Sequence, residues 1–369
     1  MKMNRWILSI TLSFFLILFL LSCSEKEKDP KPSEGLAFMT NLDGTCFVSG
    51  IGTCTDEIVV IPSVSPKGDT VTSIGDSAFK DCTTMRSIII PKTVTTIGSE
   101  AFSNCVWLKS VTIGAGVKTI KNAAFKDCKE LSSVYYKAWV DDWCDISFSN
   151  TTSNPLFYAH DLFINDTLVT DLVIPGSISS IRGYSFAGCS SLTSVTIPKS
   201  ITFVGNKSFF GCTGLESVDY QGDIAGWCEI YFADEYSNPL EYAQKLYINN
   251  TLVTDLVIPK CVTIIYDYAF EECTELTSVI IPEGVKCIGR DAFSGCTKLS
   301  SITIPNTVLE MGTCIFDNCS SLSIITYQGS KYQWNSITKI YNWYGYNSQS
   351  KPNSFTVRCT DGDINIQPK

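Results

Sequence analysis

The chain has 369 residues, an apolar fraction of 44% and a formal net charge of −9, with a pI near 4.8. That acidic balance, with no Lys/Arg block beyond the first residues, argues against nucleic acid or an anionic membrane surface as the main partner. A single histidine, His160, leaves no imidazole set for a multi-His metal centre and argues against a Ser-His-Asp or Cys-His site.

Residues 1–22 read as a secretory signal, in which Lys2 and Arg5 precede an apolar run from Ile7 to Leu21. The run is shorter than the ~20 residues of a retained membrane helix. Leu20-Leu21-Ser22-Cys23 resembles the lipobox of bacterial lipoproteins, which implies acylation of Cys23 as the mature N-terminus and a membrane contact through that lipid. Residues 23–36 follow as a flexible tether, charged from Glu25 to Asp29 and interrupted by Pro30 and Pro32. Ser24 is not the Asp of inner-membrane retention, and acidic residues just after the Cys resemble a surface-export signal. An outer-membrane, surface-exposed protein is therefore expected.

One pattern dominates residues 37–349. After a starting cap over 41–63, with a short strand and turn at Phe47–Gly52, the run from Val71 to Ile120 states the same phrase twice. Phe79 and Phe102, Cys82 and Cys105, and Ile90 and Ile113 each stand 23 residues apart. A fixed period in the range of about 20–29 residues is the signature of a leucine-rich-repeat solenoid, whose coils pack only on their neighbours. The phenylalanine recurs at Phe125, Phe186, Phe209, Phe270, Phe293 and Phe316.

Two aromatic-rich insertions, 137–170 and 221–254, interrupt the rhythm and are themselves copies: Trp143-Cys144 recurs as Trp227-Cys228, 84 residues later. Asn165-Asp166 and Asn249-Asn250 are hairpin-turn signals. A degraded third copy starts at Tyr327-Gln328-Gly329 and runs through Trp334, and residues 350–369 close the array as a C-terminal cap.

Within a coil, Ser110-Val111-Thr112-Ile113 alternates as a strand does, with Val111 and Ile113 inward. Proline ends several of these strands, as at Pro91 and Pro198. The Ala-Phe pair is expected on a short helical or 3-10 return. Eleven such strands are centred on Val60, Ile89, Thr112, Tyr135, Val173, Thr196, Asp219, Val257, Ile280, Thr303 and Thr326. The fold class is thus a mainly β solenoid with a parallel sheet.

The phrase I-G-x-x-A-F-x-x-C-x-x-L-x-S-V-x-I-P is similar to the consensus of the BspA-like leucine-rich-repeat family of bacterial surface proteins, over about Asn41 to Asp363. The resemblance implies a right-handed solenoid with its parallel sheet on the concave side. It also implies a role in adhesion, since several members bind host matrix proteins or other cells.

Eight of the seventeen cysteines (Cys82, Cys105, Cys128, Cys189, Cys212, Cys273, Cys296 and Cys319) share one repeat position and are expected as a column of free, buried thiols. Cys46 and Cys54 flank a turn, and a bridge between them stays open. Neither a metal nor a cofactor is implied, and nothing singles out a catalytic carboxylate pair.

Two surfaces are left for binding. One is the outward row Ile89, Thr112, Tyr135, Val173, Thr196, Asp219, Val257, Ile280 and Thr303, unusually apolar for a solvent-facing strip. The other is the insertions, where Trp139, Trp143, Trp227 and Tyr231 would serve as protein hot spots or sugar-stacking rings if exposed; otherwise they build small local cores. The leading expectation is a non-enzymatic adhesin-like lipoprotein binding a host extracellular-matrix or cell-surface protein. The alternatives are a glycan-capturing accessory protein and an envelope scaffold.

Overall fold

The computed structural model describes residues 30–346 and 354–366. The chain divides into Met1–Pro32 and the compact unit Ser33–Lys369. The signal segment, Cys23 and the tether as far as Asp29 lie outside the described residues. The tether is shorter than expected, because Ser33 and Leu36 are buried and Ser33 N–H donates to the Val60 carbonyl at 2.9 Å. The starting cap is the antiparallel hairpin Ala37–Thr40 and Thr45–Gly50. Its Cys46 and Cys54 are free and buried, so no bridge forms there.

Each coil contributes to two ladders. The main ladder uses the Ser-Val-x-Ile strands, and it is cut into three sheets. A six-stranded sheet runs Ile58–Val60, Ser87–Ile90, Ser110–Gly114, Ser133–Lys137, Asp161–Ile164 and Thr167–Leu168. A five-stranded sheet runs Asp171–Val173, Ser194–Pro198, Ser217–Gln221, Leu246–Ile248 and Thr251–Leu252. The last, six-stranded, runs Asp255–Val257, Ser278–Ile280, Ser301–Ile304, Ile324–Tyr327, Phe355–Cys359 and Gly362–Ile366. Every pairing is parallel except the final one of each sheet, an antiparallel hairpin that shuts the block. Asn165-Asp166 and Asn249-Asn250 make two of those turns with positive φ throughout, as two-residue hairpin loops require.

The second ladder was not expected. Two-residue strands such as Thr96–Ile97 and Thr119–Ile120 pair in parallel beside the main ladder and break at the same two places. The Ala-Phe returns are turns, not helices. Two residues per coil adopt left-handed backbone there, as Ser77 and Asp81 do in one coil and Glu100 and Asn104 in the next. That conformation aims alternate N–H groups along the array: Ser77, Phe79 and Asp81 donate to the Ser99, Ala101 and Ser103 carbonyls at 2.8, 2.7 and 2.9 Å. A helix would have turned those groups back on itself. The returns thus satisfy buried backbone by a third row of inter-coil bonds.

The insertions are elongated coils that stay within both ladders. In the first, the helix Val140–Cys144 leads to the short-ladder strand Ser147–Phe148, and the helix Leu156–Ala159 leads to the main-ladder strand Asp161–Ile164. The second repeats this, and the C-terminal cap is the closing hairpin of the third. The eleven-strand reading therefore missed the main-ladder strands at 161–164 and 246–248.

Inside each block the phenylalanines stack along the axis, with ring centroids 5.3 and 5.0 Å apart for Phe79–Phe102 and Phe102–Phe125. The repeat cysteines are free and buried, as expected. The thiols of Cys105, Cys128, Cys212, Cys296 and Cys319 donate to the phenylalanine carbonyl of the preceding coil at 3.0–3.2 Å. A small donor that is otherwise apolar suits that position. Burial pushes the thiols up, Cys128 to about 12, so they stay protonated and inert.

Candidate interaction surfaces

The outward row of the main ladder is solvent-facing, but only Val173, Val257 and Ile280 are strongly exposed, at 58%, 60% and 48%. Ile89, Thr112, Tyr135, Thr196 and Thr303 are half-buried between their neighbours. Val173 and Val257 stand on the first strand of their blocks, where no preceding strand covers them. The row also contains residues the sequence reading missed. Phe163 lies opposite Tyr135, with rings stacked at 4.7 Å, and Tyr247 lies opposite Asp219. Asp219 is half-buried and engaged: its Oδ1 accepts the Asn250 N–H at 2.8 Å and so fixes the hairpin turn. The row is an apolar strip in three pieces, one per block.

Those first strands also begin with carboxylates. Asp171 accepts from the Ser194 hydroxyl at 2.6 Å and Asp255 from the Ser278 hydroxyl at 2.5 Å. These hydroxyl donors hold both carboxyls below the usual range.

The insertion aromatics split into two kinds. Trp143 and Trp227 are completely buried, which corrects their reading as ligand contacts. Each indole N–H reaches into the next block, Trp143 to the Ser185 carbonyl at 2.8 Å and Trp227 to the Ala269 carbonyl at 2.6 Å. The buried side-chain amides of Asn154 and Asn238 do the same, donating to the Tyr184 and Tyr268 carbonyls at 2.7 and 2.8 Å. The main sheet is interrupted at these joints, and these side chains replace the missing ladder bonds. The glycan reading loses its two principal rings as a result. Trp139 is 70% exposed, but the second insertion has Asp223 in its place.

Tyr231 is 51% exposed and is not alone. It stacks on Phe203 with centroids 5.8 Å apart and planes 5° from parallel, and it meets the edge of Tyr266 at 6.5 Å. Ile264 follows next in the short-ladder row. Phe203, Ile264 and Tyr266 are 40%, 40% and 37% exposed, so four large apolar side chains share one outer patch at the joint of the second and third blocks.

A carboxylate cluster lies beside the same joint. Glu271 is buried, with Oε2 unpartnered. Burial, then Asp291, Glu241, Glu235 and Glu272, push its carboxyl up to about 10. Burial with Glu272 and Glu235 raises Glu241 to about 7, and burial raises Asp291 to about 6 against the opposing pull of Arg290. Among the described residues no group of three or more His, Cys, Asp or Glu side chains is arranged to hold a metal ion. His160 bonds the Gly188 carbonyl through Nδ1 at 2.8 Å, a structural contact.

These features define a repeat scaffold with exposed outer surfaces. The description "BspA type leucine rich repeat region" matches residues 63–162, 157–238 and 241–358 in six copies, and the chain belongs to that family. A comparison with curated proteins finds no match. Among solved structures, the chain is similar to a leucine-rich-repeat protein of Bacteroides ovatus at 22% identity, covering 89% of this chain and 99% of that one, with a TM-score of 0.40. A leucine-rich cell-surface protein of Faecalibacterium prausnitzii is also 22% identical, with coverage of 85% and 99% and a TM-score of 0.35. The pneumococcal vaccine antigen PcpA is 18% identical over 83% of each chain, with a TM-score of 0.42.

Proposed function

We propose that the protein is a lipid-anchored, surface-displayed solenoid that binds a protein of a host or neighbouring cell and carries out no chemistry of its own. The observation that carries this reading is apolar surface left outside a core that is already closed: the four-residue patch around Tyr231, with Val173, Val257 and Ile280 on the main ladder. Exposed apolar clusters of this kind mark interaction sites. The lipobox-like Leu20–Cys23 supports an anchor at Cys23, and the acidic residues beyond it support display at the outer surface. Among the described residues no helix is long and apolar enough to cross a membrane. The test is protease shaving of intact cells with detection of the solenoid. Rapid loss of signal while a periplasmic control stays intact is expected. Full protection until lysis would overturn the reading.

A further inference from the structure

The two joints between blocks are copies 84 residues apart, and inside they are the same. Arg182 N–H donates to the Cys144 carbonyl, and Tyr266 N–H donates to the Cys228 carbonyl, both at 3.3 Å. Each joint carries the same buried Trp and Asn bonds. Their outer faces differ.

At the first joint the outward short-ladder residues are polar: Thr119, Ser147 and Ser180. Arg182 crosses that joint and pairs with Asp145, its Nη2 at 2.8 Å and its Nε at 2.9 Å. At the second joint the corresponding residues are Phe203, Tyr231 and Ile264. Arg182 is replaced by Tyr266, and Asp145 by Glu229. Glu229 is exposed, and among the described residues no Lys or Arg pairs with it. The second joint keeps the acid, lacks the cation and exposes apolar side chains where the first is polar.

We propose that this face is the docking site for a protein partner that presents an arginine among apolar side chains. The partner's guanidinium pairs with Glu229, as Arg182 does with Asp145 within the chain, and its apolar flank covers Phe203, Tyr231, Ile264 and Tyr266. The inference rests on the protein-binding reading and names where and with what it occurs. An arginine fits better than a lysine, because its planar fork matches a carboxylate and its stem packs along apolar surface. Sugar fits less well, because Phe203 and Tyr231 each give one ring face to the other and Tyr266 lies edge-on against Tyr231, which leaves less open ring face for a sugar than isolated rings would. A second copy of this acidic chain also fits poorly, since a symmetric contact meets itself and would bring Glu229 toward Glu229.

The test uses the full lipidated chain in detergent micelles, panned against displayed random linear peptides, with Y266R as the subtracting surface. Enriched peptides should carry an arginine beside apolar residues. Replacing that arginine by citrulline, or the protein's Glu229→Gln, should weaken binding about tenfold or more, the scale of a lost charge-assisted bond. Y266R, which supplies the cation within the chain, should do the same with an unchanged circular dichroism spectrum. If Y266R fails to fold, E229Q still decides. Peptides without arginine, equal binding by E229Q, or binding of glycans but not peptides would overturn the proposal. So would concentration-dependent dimers abolished by E229Q. Cell adhesion retained by E229Q would remove this site while leaving the surface-binding reading intact, whereas protection from shaving would remove that reading and leave the peptide result unaffected.

Discussion

Glu271 gives the sharpest test of the packing at the second joint. It follows Phe270 in the first return of the third block and is only 7% exposed. The charges of Asp291 in the next coil and of Glu241 and Glu235 in the second insertion all disfavour its ionisation. Arg290 Nε is engaged by Asp291 at 2.9 Å, so Glu271 gains no partner from it. The folded carboxyl is therefore raised to about 10 from its ordinary value of 4.5. A raised folded value means that the carboxyl's contribution is fully present below pH ~4.5 and is lost as the pH climbs toward the folded value. At 1.36 kcal/mol per unit, keeping this group protonated at pH 7 costs up to about 3 kcal/mol relative to acid conditions.

Glu271→Gln removes that cost, because an amide stays neutral at every pH. The variant should be more stable than the parent at pH 7–8, by several degrees of melting temperature in differential scanning calorimetry, and nearly equal to it near pH 4.5. The parent itself should gain stability as the pH falls from 8 to about 5. A variant no more stable at pH 7.5, or stabilised equally at pH 4.5, would refute the account of an unpaired buried carboxyl.

The other predictions concern the joints and the columns. Trp143→Phe should cost ~1 kcal/mol by removing the indole bond to the Ser185 carbonyl, which keeps the Asn154 amide at 3.0 Å as its other donor, and Trp143→Ala ~3–5 kcal/mol, by urea unfolding; a loss of sugar binding without a loss of stability would restore the glycan reading. Deleting residues 171–254 should leave a folded protein, because Trp143 and Asn154 would then meet the Ala269 and Tyr268 carbonyls; circular dichroism and size-exclusion chromatography would reveal failure as an expanded, strand-poor chain. Gly188→Ala should destabilise by about 2 kcal/mol or more, since φ is +88° and the new Cβ would lie 2.5 Å from the Phe157 Cα. In thiol labelling of the native chain, exposed Cys261 should react first and half-buried Cys287 and Cys314 slowly, while the repeat column waits for denaturant; fast labelling of the column would contradict its burial.

The 23-residue period carried the coil, its inward Val and Ile positions and the thiol column into view, because each is repeated and its residue types are chemically narrow. The short ladder escaped because Thr96–Ile97 is two residues long, too brief for any alternation to register. The left-handed returns escaped for another reason. Ser77, Glu100, Ala123, Tyr184 and Lys207 share a backbone conformation but no chemistry, so inter-coil bonding rather than residue preference imposes it. In the insertions, Trp143 and Tyr231 looked equivalent as aromatic residues in matching segments. Only the backbone placed one under the ladder and the other on top of it. Comparing the two joints residue by residue would have isolated Tyr231, because it is serine in the other copy. Glu271 had no such signal, since its neighbours come from three separate stretches of chain.

The thiol column also records the order in which the array is built. Each cysteine is covered only when its own coil is packed between its neighbours, so its reactivity during synthesis and export marks how long that coil stays open. A chain that closes its blocks promptly carries sixteen described thiols past an oxidant with few left to react. One that stalls at a joint leaves the next block's cysteines free to crosslink. Pulse-labelling of nascent chains would then read the closure of the solenoid coil by coil.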